Sequence, residues 1–301
     1  ANTTGANNVA VGALALDANT TGAENVAVGA SALSANTTGT RNVAVGFGSM
    51  LCNTTANDNT AVGRCAMKLN TTGASNTAMA KDALVFNTTG SNNTAIGTSA
   101  LYLNTTGDAN VAVGNVALDA NTTGTNNVAL GSAALGAVTT GSGNIGIGQN
   151  TAYELYTGSN NITIGQNSGS DAMRALGNAT ANNIVVGNNS HSVAYIKIDW
   201  TVTSDLRDKM NIEEVPHGLD FVNQLNPIKY NFKKSREDAT PNGKARYGFK
   251  AQDILAIEGD NPIIIDNDDV ENLKFTNANL VPVLVNAIKE LKAEIELLKN
   301  K

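Results

Sequence analysis

The sequence predicts a mainly β chain, in which a parallel β-roll solenoid is followed by a small α+β domain that ends in a coiled-coil helix. A seventeen-residue block, Asn-Val-Ala-Val-Gly-x-x-Ala-Leu-x-Ala-Asn-Thr-Thr-Gly-x-x, recurs in constant register through the first half of the chain. Charged residues and helical spacing are instead concentrated after residue 204. A fixed period of this length is typical of a solenoid, because each unit buries its apolar side mainly against its two neighbours.

Two markers define the repeat. Asparagine opens the apolar strand at positions 8, 25, 42, 59, 76, 93, 110, 127, 144 and 161. An Asn-Thr-Thr turn keeps the same step, until Val138 takes the place of its asparagine. Ala80 replaces the glycine that ends the other strands, and five extra residues precede the last copy, which begins at Asn183. This insertion, at 170–180, predicts a short helical cap on the rod.

Within one coil, a period of two places both valines of the Val-Ala-Val strand on one face and the alanine on the other. The following Ala-Leu-x-Ala portion predicts a second short strand, so that each coil is a flattened roll. The glycine after the first strand and the Asn-Thr-Thr-Gly turn supply the positive φ and the side-chain-to-backbone hydrogen bonds that sharp corners need. Ten coils stacked at ~4.8 Å give a rod of about 50 Å.

The coil is thin, and its interior consists of Val, Ala and Leu with few aromatic residues. One chain is therefore expected to bury too little apolar surface alone. The small alanine, placed on the outer side of the strand, suits close approach of another chain. These features predict a homotrimer about the rod axis.

Composition excludes several classes of function. The 301 residues carry a formal net charge of −6 without a basic stripe, which disfavours nucleic acid and anionic membranes as partners. No apolar stretch reaches the ~20 residues that cross a bilayer, so membrane insertion is not expected. Cys52 and Cys65 lack accompanying histidines, which predicts small core or surface residues; no metal and no cofactor are expected. The chain begins inside a repeat without Met, which indicates a fragment of a longer protein.

The coil corners have both a functional and a structural interpretation. Each Asn-Thr-Thr turn is also a glycosylation sequon, but the turn interpretation is favoured because the corner geometry requires the same asparagine. The variable pairs after the strand-ending glycine, such as 47–48, 64–65 and 81–82, are the natural place for ligand contacts; the alternative is that they are plain solvated corners. The coils resemble the parallel β-roll heads of trimeric autotransporter adhesins and the related shafts of phage tail fibres, which implies a trimeric shaft over 1–190.

A junction at 191–203, with an alternating strand at 193–198, leads into a mixed region. There 218–232 predicts a short helix, a proline stop and a strand, and 246–257 predicts a strand and a helix. From 280 to 301, apolar residues recur at steps of three and four, as in the a/d seam of a coiled coil. The seam consists of Val281, Leu284, Ile288, Leu291, Ile295 and Leu298. A parallel trimeric coiled coil is favoured over a lone amphipathic helix on its own domain.

The start of the mixed region carries the string Ser204-Asp205-x-Arg207-x-Lys209, followed by Asn-Ile and, further on, by Gly-Leu-Asp-Phe and Tyr-Gly segments. From Thr203 onward the chain resembles the intramolecular chaperone auto-processing domain at the C-termini of phage endosialidases, tail spikes and tail fibres. The resemblance implies a domain, here 204–301, that helps the fibre trimerise and fold and then cuts itself off. It implies Ser204 as nucleophile and Lys209 as base, with Asp205 and Arg207 in support. The bond cut would join Thr203 to Ser204.

The residue types suit this chemistry. A serine hydroxyl is a weak nucleophile until a base takes its proton, and a lysine amine serves as base only when burial or a neighbouring cation, here Arg207, favours its neutral form. Because Ser204 follows the bond, its oxygen can add to the preceding carbonyl in an N-to-O acyl shift. A five-residue step separates side chains by about 140° on a helix, so Ser204 must lie at or before a helix start. The alternative makes Ser204 the N-cap of a solvated turn. His191 and His217 are assigned structural roles.

These observations predict a phage tail fibre fragment, assembled in the host cytoplasm and carried in the virion. It would attach to an unidentified host cell-surface receptor, and its only enzymatic step would be one cut in its own chain. Two alternatives remain open. One is a trimeric bacterial surface adhesin without protease activity, and the other is an ice- or mineral-binding solenoid, suggested by the ladder of paired threonines.

Overall fold

The computed structural model describes residues 2–170, 177–188, 204–233, 236, 238–259, 262–267, 270 and 273–300, except for the side chain of Asp208. The chain divides into two compact units, Ala1–Ser190 and His191–Lys301. Within the described residues, no helix is long and apolar enough to span a membrane.

The first unit is a rod built on one parallel sheet. Each coil contributes one three-residue strand, and consecutive strands pair in chain order, so that Val26 pairs with Val43 and Val43 with Thr60. The strands are β1 Val9–Val11, β2 Val26–Val28, β3 Val43–Val45, β4 Thr60–Val62, β5 Thr77–Met79, β6 Thr94–Ile96, β7 Val111–Val113, β8 Val128–Leu130, β9 Ile145–Ile147, β10 Ile162–Ile164 and β11 Ile184–Val186. The predicted mainly β fold with a parallel solenoid is confirmed.

Small residues fill the rod interior. The central residue of each strand from β2 to β10 is buried, as for Ala27 and Ala61, and fully buried Met67 and Leu84 lie in the same core. The prediction that the strand alanine faces outward is therefore wrong. A period of two defines two faces but does not say which is inside, and so thin a coil has room only for alanine opposite a long side chain. The outer face carries the first and third residues of β1–β11, here called the strand stripe.

The predicted second strand is also wrong, because turns occupy its place in the described coils. Two residues of this segment have positive φ in most coils, for example Asp82 at 56° and Leu84 at 54°. The segment still bonds to the next coil, since the Leu84 N–H donates to the Ala100 carbonyl at 2.9 Å. A left-handed residue costs about 1–2 kcal/mol, whereas complete burial of a leucine stabilises the fold by about 1.5–3 kcal/mol. Burial of Leu84 thus offsets the strain of its own left-handed backbone.

Glycine occupies two corners for different reasons. The strand-ending Gly97 has a φ of 132°, which side chains rarely adopt, and Ala80 holds a φ of 116° at the same corner. Gly90, in an Asn-Thr-Thr-Gly turn, has no positive φ, so that expectation is wrong for this corner. Glycine is needed there because a Cβ would collide with the Asn87 side chain and the Gly107 carbonyl of the next coil.

Buried asparagines form a ladder along the turns, which confirms the predicted side-chain-to-backbone bonds. The Asn87 amide donates to Asn70 Oδ1 one coil earlier at 2.7 Å and to the Gly90 carbonyl at 2.8 Å. The same pair of bonds recurs from Asn36 to Asn121. These amides are enclosed in the folded rod, which supports the turn interpretation over the glycosylation sequon.

A second ladder runs beside the strands. Each strand asparagine uses Oδ1 to accept the backbone N–H of the asparagine in the next coil, as Asn76 does from Asn93 at 2.9 Å. The turn ladder, by contrast, stops at Asn121, whose buried Oδ1 has no hydrogen-bond partner within the described residues. Val138 stands where the next amide would donate.

The second unit contains, in its described part, one 3-10 turn, three helices and two small antiparallel sheets. These are Leu206–Asp208, then α1 Leu219–Gln224, β12 Ile228–Lys233, β13 Pro241–Gly248, α2 Ala251–Glu258, β14 Ile265–Asp266, β15 Lys274–Phe275 and α3 Asn277–Lys299. The helix and strand predicted at 218–232, the strand and helix predicted at 246–257 and the terminal helix are confirmed. The strand predicted at 193–198 and most of the insertion, 171–176, lie outside the described residues.

A small core holds the second unit together. Its buried members are Phe221, Ile254, Ile264, Ile265, Leu280 and Val283, contributed by all three helices and the β14 segment. The Glu258 carboxylate fixes the approach to β14 by accepting the backbone N–H groups of Ile263, Ile264 and Ile265 at 2.7 to 3.0 Å.

Candidate active site

The segment from Ser204 to Lys209 forms one tight turn. Asp205 is its N-cap, with a side chain that accepts the Arg207 N–H at 2.9 Å. Lys209 ends the turn, and its N–H donates to the Leu206 carbonyl at 3.1 Å. Ser204 therefore lies one residue before the cap, where the predicted dyad requires it. The alternative with Ser204 as the N-cap is not the arrangement observed.

The turn brings the two predicted dyad side chains together. Lys209 Nζ donates to Ser204 Oγ at 2.8 Å. The two side chains meet although they are five residues apart in sequence. The 3-10 turn reverses the chain between Asp205 and Lys209, which are both extended. A contact of this length is what a nucleophile and its base need, and a neutral amine would accept the hydroxyl proton across it.

Asp205 and Arg207 form an exposed bidentate ion pair. Arg207 Nε and Nη2 donate to Asp205 Oδ1 and Oδ2 at 3.0 and 2.6 Å. The guanidinium lowers the pKa of the Asp205 carboxyl, and the carboxylate raises the pKa of Arg207. Because Asp205 offsets the charge of Arg207, the pair shapes the turn in this arrangement and leaves no free cation at position 207.

The dyad of a single chain is open to solvent. Ser204 and Lys209 are exposed, and so are the neighbouring apolar side chains of Leu206 and Met210. A lysine amine becomes a base when it is desolvated. Thr203, which carries the carbonyl to be attacked, lies outside the described residues.

Two side chains of α3 hold the chain that links the dyad to α1. The Asn286 amide donates to the Val215 carbonyl at 3.2 Å and to the His217 carbonyl at 3.4 Å. One turn further along α3, Glu290 accepts the Leu219 N–H at 2.6 Å and so caps α1. Sequence analysis did not identify either residue. Both are polar side chains between the apolar seam positions, and this placement was the one signal that could have pointed to them.

α3 has two apolar faces. Leu280, Val283 and Ala287 are buried on the domain core. The predicted a/d seam is a different face, and all six of its residues, from Val281 to Leu298, are exposed by 38% to 68%. Packing within the described part of its own domain does not account for this exposed apolar stripe.

The remaining candidates have structural surroundings. The His217 ring stacks on Phe221 with centroids 4.3 Å apart, as its predicted structural role requires, and His191 lies outside the described residues. Cys52 and Cys65 are free thiols. No cluster of three or more His, Cys, Asp or Glu side chains in the described part of the chain could hold a metal ion.

The corner pairs on the rod that were considered for ligand contacts show mixed behaviour. Phe47 is exposed. Arg64 and Lys81 both approach the carboxylate of Asp82, at 3.6 and 3.4 Å. The two charged pairs therefore form a surface ion-pair cluster across adjacent coils.

Comparison with protein families gives a match that starts at the first residue of the dyad. Residues 204–262 match the family model of peptidase S74, described as chaperone of endosialidase. The resemblance inferred from the string at 204–209 is confirmed for this region, and the parallel solenoid before it is consistent with a tail fibre shaft. No curated protein and no solved structure matches the chain.

Proposed function

We propose that this chain is part of a trimeric phage tail fibre, whose chaperone of endosialidase region assembles the fibre and then releases itself by cutting the Thr203–Ser204 bond. The observation that carries the proposal is the 2.8 Å contact between Ser204 Oγ and Lys209 Nζ at the first residue of the matched region. The rod would serve as the shaft that attaches to a host cell-surface receptor. The fibre would be assembled in the host cytoplasm and carried in the virion.

The proposed cut needs only these two side chains and water. Lys209 takes the proton of Ser204 Oγ, and Oγ forms a bond to the Thr203 carbonyl carbon. The bond from that carbon to the Ser204 nitrogen breaks, and the nitrogen receives the proton from Lys209. Water then hydrolyses the ester, which restores the Ser204 hydroxyl and leaves a carboxylate on Thr203. The protein is its own substrate, so no turnover follows.

Two exposed apolar surfaces support assembly as a trimer. One is the α3 seam. The other is the strand stripe, where outward side chains such as Met79, Ile96 and Ile147 are more than a third exposed and those of the strands between Ile96 and Ile147 are partly exposed. Continuous apolar rows of this kind are typical of protein interfaces, and a closed ring of three chains covers each row once.

Assembly would also complete the cleavage site. Packing of neighbouring chains around Leu206 and Met210 would exclude water from the dyad, and a desolvated lysine amine can serve as a base. The proposal therefore places the cut after trimerisation, so that a chain keeps its chaperone until the rod has formed.

The experiment is expression of the full chain followed by denaturing electrophoresis and mass spectrometry of the products. We expect fragments of residues 1–203 and 204–301, whereas Ser204→Ala and Lys209→Ala should each leave one intact chain. Lys209→Arg keeps the charge but removes the base and should also block the cut. Lys250→Ala, which removes an exposed lysine elsewhere in the same unit, is the matched control and should cleave normally.

Three results would contradict the proposal. A cut at another bond would show that the cleavage site lies elsewhere. A cut that persists in both dyad variants would show that Ser204 and Lys209 do not catalyse it. An uncut trimer of unmutated chain would instead favour the surface adhesin without protease activity.

A further inference from the structure

A notch interrupts the surface of the rod on the turn segment of its coils. The residues two places before the turn asparagine form a column with one member per coil. Its members are Asp17, Ser34, Leu51, Lys68, Val85, Tyr102, Asp119, Gly136, Tyr153 and Ser170. Gly136 leaves the column without a side chain for one coil, between Asp119 and Tyr153. A cavity of about 800 Å³ opens at this point, which is within the size range of small-molecule sites.

Departures from the repeat cluster around the notch. Tyr156 replaces the first threonine of its turn, and Val138 and Leu155 replace the turn asparagine in two consecutive coils. These changes end the asparagine ladder and leave the buried Asn121 Oδ1 without a partner in the described residues. A rod that needed only stability would have kept the repeat here, so the departures point to a local function.

The notch combines flat aromatic faces with hydrogen-bonding groups. Tyr153 and Tyr156 line it and are 56% and 44% exposed. Asn150 and Asn167 stand one coil apart and add amide groups to the lining. Each amide has two donors and an acceptor. The described lining residues include no cation.

Asp119 supplies a carboxylate at the edge of the gap. A Cβ added to Gly136 would lie 3.3 Å from Asp119 Oδ1, so the carboxylate borders the space that the missing side chain leaves. Asp119 is partly buried and forms no ion pair among the described residues, and desolvation raises the pKa of its carboxyl. A carboxyl group in this setting is suited to hydroxyl donors and repels anions.

We propose that this notch binds a short neutral oligosaccharide. The C–H faces of sugar rings pack on aromatic rings such as Tyr153 and Tyr156, while ring hydroxyls pair with the two amides and with Asp119. Sugars that carry carboxylate or phosphate groups are disfavoured by Asp119. The inference deepens the proposed attachment role and rests on it for its biological use, but the site itself lies entirely in the rod.

The test is binding of the purified full chain to an array of neutral, sialylated and phosphorylated oligosaccharides, followed by calorimetric titration of the neutral sugars that bind. Tyr153→Ala removes an aromatic face, and Gly136→Leu fills the gap with a side chain that Leu51 already carries in the same column. Both should weaken binding about tenfold or more. Tyr102→Ala is the matched control, because Tyr102 belongs to the same column but packs edge-on against Phe86, outside the notch.

Absence of binding to any neutral glycan, or binding to anionic glycans alone, would overturn the inference. Equal loss with Tyr102→Ala would also overturn it. Circular dichroism checks that each variant folds. If Tyr153→Ala does not fold, the binding result of Gly136→Leu decides the question. Cleavage is scored on the same preparations, so that a failure of sugar binding and a failure of self-cleavage are separate results.

Discussion

In the rod, each coil bonds to the next through its strand, its turn segment and two asparagine ladders, whereas the second unit relies on a small apolar core and exposes much of its apolar surface. The rod repeats one set of contacts along its length, so once formed it needs few stabilising contacts from other parts of the chain. In the proposed trimer, the same repetition would make the register between chains ambiguous, because a slip of one coil loses only one coil of contact. The second unit has no such repeat, so in that trimer it would fix the register.

The largest expected effect comes from breaking the seam of α3. Leu291→Asp places a charge in the predicted coiled coil, and we expect the soluble trimer to be lost in light scattering. Leu297→Asp introduces the same charge at an exposed leucine of the same helix, off the seam, and should leave the trimer intact. If the unmutated chain is a monodisperse monomer, or if the two substitutions have equal effects, the seam does not hold the trimer together.

A smaller effect is expected from breaking the asparagine ladder inside the rod. Asn87→Ala leaves the buried Asn70 Oδ1 without its donor, and the buried Asn104 amide loses Asn87 Oδ1 but keeps the Gly107 carbonyl as acceptor. The expected loss is about 2–4 kcal/mol, since an orphaned buried group costs about 1–3 kcal/mol and a lost hydrogen bond about 1 kcal/mol. Denaturant unfolding measures it, with the exposed Asn115→Ala as control, which should change stability by less than about 0.5 kcal/mol. Similar losses in both variants would mean that the ladder does not stabilise the rod.

The smallest effect is expected at Ala80, which replaces the glycine that ends the other strands of the rod. Ala80→Gly relieves a residue held at a φ of 116° and should raise stability by about 1 kcal/mol. Gly97→Ala at the same corner of the next coil should lower stability, because its Cβ would collide with the Gly114 carbonyl. Melting temperatures of both variants provide the comparison. A lower melting temperature for Ala80→Gly would show that Ala80 contributes packing that outweighs its strain.

Periodicity predicted the rod well, because a constant step fixes which residues are neighbours along it. It did not predict which strand face is inside, since that depends on how much side-chain volume a coil can hold. The turn around Leu84 was mistaken for a strand because its apolar spacing is the same in either conformation, and only the positive φ distinguishes them.

The Ser204–Lys209 pair followed from the family resemblance of a string of residues close in sequence, and the structure places the two side chains in contact. The notch could not be predicted in this way. Asp119, Gly136 and Tyr153 are seventeen residues apart, and the decisive feature is a missing side chain, which has meaning only after the coils are stacked. Arg207 forms an ion pair with Asp205, two residues away on the same turn, which the sequence analysis did not consider.

The uniform bonding between coils also affects how such a rod can evolve. Removal or addition of a whole seventeen-residue unit between β3 and β7 would join coils whose strands and asparagines already match, and each unit changes the length by ~4.8 Å. Tandem repeats in a gene gain and lose copies through unequal recombination. The length of the rod can therefore change in single genetic steps, while the coils of the notch and the sequence from Ser204 onward stay unchanged.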